Sequence, residues 1–71
     1  MIVYFWDGEK VVPYEYNLGM RPGLEFQGQT CVYLAPFSKS VQYRDWTSQG
    51  WRITNEPDIP KELKAFALLL T

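Results

Sequence analysis

Histidine is absent from this sequence, and cysteine occurs once, at position 31. Without histidine the usual mixed zinc sites are excluded, and so is the commonest general base. One thiol cannot form an internal disulfide. Charge of one sign is also lacking: seven Lys and Arg stand against eight Asp and Glu, for a net charge of -1. No basic block marks a phosphate-binding footprint. Gly19, Gly23 and Gly28 lack the spacing of a phosphate loop. Long apolar runs are missing too. Residues 1–6 are apolar but stop at Asp7, without the charged start and long middle of a signal peptide. Residues 66–70 are too few to cross a bilayer. No membrane association is expected, and the lone cysteine fits a reducing, cytoplasmic setting.

What is present is aromatic. The 71 residues include four Phe, five Tyr and three Trp. A chain of this size buries roughly 60% of its extended surface on folding, so its core is thin. Each large ring can hide about 150–250 Å². Stability is therefore expected from aromatic packing, from oligomerisation, or from both.

Along the chain, residues 2–6 (IVYFW) read as a strand, and Asp7-Gly8 as a hairpin signal. The return begins at Lys10-Val11-Val12. Pro13 demotes it to an edge or bulged strand, because proline donates no ladder hydrogen bond. Pro22-Gly23 fits a type II turn. Residues 24–26 are a candidate short strand, residues 30–34 a stronger one, and Phe37 to Ser40 a connector. Val41 to Trp46 and Trp51 to Thr54 read as an antiparallel pair around a four-residue TSQG loop. From Pro60 to Leu70 helix formers dominate, and Asp58 and Glu62 suit the positive helix start, so a helix is preferred over the alternative of a final strand, AFALLLT. Ile59, Leu63, Phe66, Ala67 and Leu70 share one helical face, while Leu68 and Leu69 lie outside it. The expected fold class is α+β. A small antiparallel sheet of four or five strands, with a partly closed barrel as a variant, carries a C-terminal helix. Residues 1–71 are read as a single small domain.

The stretch YRDWTSQGWRIT, residues 43–54, holds the main functional candidates. Its hairpin register pairs Trp46 with Trp51, Asp45 with Arg52, Arg44 with Ile53 and Tyr43 with Thr54. Cross-strand aromatic and opposite-charge pairs contribute about 0.2–1 kcal/mol each, which is reason enough for these residues without a ligand. The functional alternative places Trp46, Trp51 and Arg44 on one exposed face as a protein-contact hot spot. Tyr43 and Arg52 extend the candidate surface. Met20 and Arg21, on a turn-rich loop, are a second candidate contact. Stacking of nucleobases on Tyr43, Trp46 and Trp51 is the rival reading, weakened by sparse positive charge.

Catalysis is not expected. Cys31 sits in an apolar strand with no histidine to activate it. Asp7/Glu9 and Glu56/Asp58 are acid pairs with no accompanying ligand set. No cofactor and no metal are expected. The chain reads as a non-catalytic interaction or accessory protein that acts by binding, occlusion or scaffolding, in the manner of a phage-type inhibitor. A protein partner is expected, and self-association through Leu68, Leu69 and Leu70 is a further candidate. The alternative function is a weakly basic module for single-stranded nucleic acid.

Overall fold

A computed structural model of the chain describes residues 1–17, 26–47 and 49–70. Among them are five strands, β1 (Ile2–Trp6), β2 (Val11–Glu15), β3 (Thr30–Leu34), β4 (Val41–Thr47) and β5 (Gly50–Ile53), a 3-10 turn (Glu56–Asp58) and one α-helix, α1 (Lys61–Ala67). The strands form an open antiparallel sheet in the order β2-β1-β3-β4-β5. The expected α+β architecture is therefore present. The turn at Pro22-Gly23 and the candidate strand at 24–26 lie outside the described residues, apart from Phe26. That residue packs its ring on Phe5, 4.5 Å between centroids.

Alternation along the strands sends side chains to two faces, and both are buried in the middle. In β1, Val3 and Phe5 point one way, while Tyr4 and Trp6 point the other. In β3, neighbouring Cys31 and Val32 are both 0% exposed, on opposite faces. The helix covers the second face. Leu63 and Ala67, with Ile59 ahead of them, pack on Val32, and Phe66 meets Tyr4 at 4.7 Å between ring centroids. The anticipated apolar face of the helix is the one that docks, and Leu68 and Leu69 stay 76% and 78% exposed.

The first face carries no α-helix among the described residues. Aromatic rings fill it instead. Trp46 lies against Phe5, Tyr14, Tyr16 and Trp51, at centroid distances of 5.8, 6.0, 5.5 and 4.8 Å. Tyr16, just beyond β2, also meets Trp51 of β5 at 4.8 Å. Rings from opposite ends of the strand order thus touch, which requires the sheet to curl toward this side. It does not close into a barrel.

Local turns show why the boundaries fall where they do. At the first hairpin, Asp7 Oδ1 accepts the N–H groups of Glu9 and Lys10 at 2.7 and 2.8 Å. These bonds, Lys10 first, hold the Asp7 carboxyl below its usual value. The tip is Gly8-Glu9, one residue later than the Asp7-Gly8 reading, with Gly8 at φ 99°. Ahead of β3, Gly28 and Gln29 together oppose Trp46. Gly28 N–H donates to the Trp46 carbonyl, and Trp46 N–H donates to the Gln29 carbonyl. Two residues against one is a bulge, and Gly28 at φ 82° supplies the left-handed conformation that such a bulge uses.

The β4–β5 hairpin has the expected register, Trp46 with Trp51 and Arg44 with Ile53. It runs one pair further than expected, because Thr47 pairs with Gly50 and its hydroxyl donates to the Gly50 carbonyl at 2.8 Å. The α-helix ends at Ala67, short of the expected Leu70; Leu69 and Leu70 bond back only three residues, to Phe66 and Ala67. Pro60 stands just before the helix, with ψ 134°, instead of within its first turn.

Leu63 and Leu69 separate core from surface on the C-terminal segment. Leu63→Ala is expected to cost about 2–5 kcal/mol in urea unfolding, a large share of the marginal stability of so small a chain. Leu69→Ala is expected to stay within about 0.5 kcal/mol.

Candidate functional site

The candidate residues of the β4–β5 hairpin separate onto two faces. Trp46, Trp51 and Arg44 share the helix-free face, as expected from their spacing. The functional alternative needed all three exposed there, and Trp46 departs from it. Trp46 is 1% exposed and belongs to the core, because the rings of Phe5, Tyr14, Tyr16 and Trp51 enclose it. Trp51 is half-buried beside it, edge-on to Tyr33 at 5.9 Å. The Nε1 donors of Trp46 and Trp51 are buried without a hydrogen-bond partner. Both rings are therefore held by packing alone, and an unpaired buried donor of this kind costs about 1–3 kcal/mol.

Tyr43 and Arg52 point to the helix side. Tyr43 packs on the cluster around Val32, Leu63 and Ala67. It cannot join Trp46 and Trp51 in one stacking platform, since the sheet lies between them. Arg52 is exposed. Its register partner is Asp45, but the expected charge pair does not form. Asp45 Oδ1 accepts the hydroxyls of Thr30 at 2.7 Å and Thr54 at 2.9 Å, while Arg52 donates to Gln49 Oε1 at 2.7 Å. The two threonines reach Asp45 Oδ1 from β3 and from the residue just beyond β5, and the guanidinium takes no part. Met20 and Arg21 lie outside the described residues.

Beyond the buried tryptophan, the helix-free face turns polar and open. Gln42 Oε1 accepts both the Tyr33 hydroxyl and an Arg44 N–H, each at 3.0 Å. A second Arg44 N–H donates to the Tyr43 carbonyl at 2.7 Å. This network ties the guanidinium to β4, with no carboxylate among its described partners. Opposite Arg44 across the ladder stands Ile53, 82% exposed. Trp51, Arg44, Ile53, Tyr33 and Gln42 thus form one contiguous strip at the open end of the face. Of this strip, only Trp51 and Arg44 are among the site residues expected from the sequence. Ile53 is legible as the cross-strand partner of Arg44, but its exposure is not; Tyr33 and Gln42 depend on the β3–β4 register, which no local motif marks. Phe37, at the tip of the β3–β4 hairpin, is fully exposed. Lys39 beside it takes a positive φ of 53°, donating its N–H to the Ala35 carbonyl at 2.8 Å.

No ligand-sized cavity opens among the described residues, and no group of three or more metal-ligating side chains gathers there. No described helix is long and apolar enough to cross a membrane. No protein-family model matches the sequence, and no curated protein or solved structure matches it.

Cys31 lies under the ring cluster at 0% exposure. Burial pushes its thiol up to about 12 from the ordinary 9.0, and the Arg44 backbone bond and charge offset that rise only in part. The folded protein therefore binds the proton more tightly than the unfolded chain. This contribution to stability is complete below about pH 9 and is lost as pH rises toward 12. Cys31→Ala is expected to flatten that extra alkaline loss in urea unfolding measured from pH 8 to 11. Iodoacetamide at pH 8 is expected to label wild-type Cys31 only as fast as the chain opens.

Proposed function

We propose that this chain is a non-catalytic protein-binding module, and that its contact surface is the strip Trp51–Arg44–Ile53–Tyr33. The observation that carries this reading is Ile53. A large β-branched side chain stands 82% exposed beside a guanidinium already oriented by Gln42 and the Tyr43 carbonyl. A half-buried tryptophan and a tyrosine hydroxyl flank the pair. Tryptophan, tyrosine and arginine in a preorganised patch are the residues that dominate measured binding energies, and prior ordering lowers the entropy lost on contact. The buried Trp46 acts beneath the strip as its support. Action is by occupying a partner's surface, through occlusion or scaffolding, as a small inhibitor or accessory subunit does.

The nucleic-acid alternative has less to stand on, because its three stacking rings do not share an accessible face. The test is affinity capture from the protein's native cell, followed by measured affinity for whatever protein is identified. Ile53→Asp and Arg44→Ala are each expected to weaken that complex at least tenfold while unfolding midpoints stay within a few degrees. Complexes unaffected by both changes would contradict the reading.

A further inference from the structure

The two edges of the sheet differ in what they can bond. In β4, Trp46 turns its N–H and C=O toward the β3 side, to Gln29 and Gly28. Antiparallel ladders alternate, so Asp45 and Thr47 bond β5 through Arg52 and Gly50. Trp51 and Ile53 then direct their own N–H and C=O groups away from the sheet, at an edge that no other strand among the described residues covers. At the other edge the same parity holds. Asp7 N–H bonds the Lys10 carbonyl and Tyr16 N–H bonds the Met1 carbonyl, so Pro13, opposite Tyr4, faces outward. Its missing donor is lost from the edge and not from the ladder. The β2 edge is blunted by proline, and the β5 edge keeps its donors.

We infer that the β5 edge receives an extended segment of a partner protein as an added strand, with an acidic residue opposite Arg52 and apolar residues on either side. This rests on the protein-binding reading above and names its mode and partner chemistry. Added strands draw affinity from main-chain bonds and selectivity from alternate side chains. Bonding to both Trp51 and Ile53 sets one partner residue against Arg52 as a non-hydrogen-bonded pair, where side chains come closest. Arg52 is exposed, and Gln49 is its bonded partner, while the nearby Asp45 is held by Thr30 and Thr54. An incoming carboxylate therefore meets a guanidinium that no carboxylate among the described residues engages. The residues on either side of it lie over the helix-free face beside Trp51 and Ile53, which favours apolar side chains.

A second copy of this chain fits poorly in the same place. The two-fold register that bonds both Trp51 and Ile53 sets Arg52 directly against Arg52 of the second copy. Like charges opposed in this way destabilise a strand pair. The arginine thus disfavours self-pairing and selects for acid.

The probe is a ten-residue peptide alternating valine and glutamate, compared with its valine–lysine counterpart, by fluorescence anisotropy and amide chemical shifts. The glutamate peptide is expected to bind at least tenfold tighter, with the largest shifts at Trp51, Arg52 and Ile53. Arg52→Glu is expected to invert the preference. Ile53→Pro, which removes an outward N–H but no ladder bond, is expected to abolish binding by both. Equal affinity for the two peptides, no binding of either at millimolar concentration, or an unchanged preference in Arg52→Glu would overturn the inference. If Ile53→Asp and Arg44→Ala weaken an identified natural complex while Arg52→Glu leaves it intact, the contact strip stands and strand addition fails. If none of these variants weakens it, both readings fail.

Discussion

The ring of Trp46, enclosed by Phe5, Tyr14, Tyr16 and Trp51, governs the rest of the structure. A sheet of five short strands with one seven-residue helix can cover only one face in the ordinary way. No disulfide is available to hold the other. Rings of this size solve the problem by covering one another, and edge-to-face pairs add about 0.5–1.5 kcal/mol each beyond the area they hide. The geometry has a consequence for shape. Tyr16 and Trp51 can meet only if the sheet curls, and curling gathers the rings at one end of the face. The other end, toward Ile53 and Gln42, remains open. The surface available for contact is what the aromatic cluster leaves uncovered.

Much of this organisation was legible in the residues. Alternation in IVYFW and TCVYL announced strands, and the three- and four-residue spacing from Ile59 to Leu70 announced a docked helix. The Trp46–Trp51 register followed from loop length. What spacing could not show was depth. Tryptophans on a hairpin read equally as core or as surface, and the choice depends on Phe5, Tyr14 and Tyr16, all far away in sequence. The same limit applied to Asp45 and Arg52. Register placed them opposite one another, but Thr30 and Thr54 reached the carboxylate, and only the first of these lies on a different hairpin. Ile53 shows the same limit from the other side. Register placed it opposite Arg44, but only the end of the sheet beside it makes it exposed.

The difference between the two edges links packing to function. Pro13 on β2 removes an outward donor without weakening the ladder, whereas β5 ends the sheet with its backbone groups intact. Unpaired edges invite association, and proteins usually blunt them. Here one edge is blunted and the other is marked by Arg52, a residue that repels its own copy and attracts acid. The exposed Ile53 and the fixed Arg44 guanidinium lie along that same margin, so side-chain and main-chain recognition converge on one strand.

The most direct measurement is amide hydrogen exchange in the isolated protein, read residue by residue. Slow exchange is expected at Trp46, whose N–H is bonded to Gln29 beneath the ring cluster, and at Arg52, which pairs with Asp45. Exchange at least a hundredfold faster is expected at Trp51 and Ile53, whose N–H groups face out. Protection of Trp51 and Ile53 equal to that of Arg52 would show that the β5 edge is already covered, and would contradict the account.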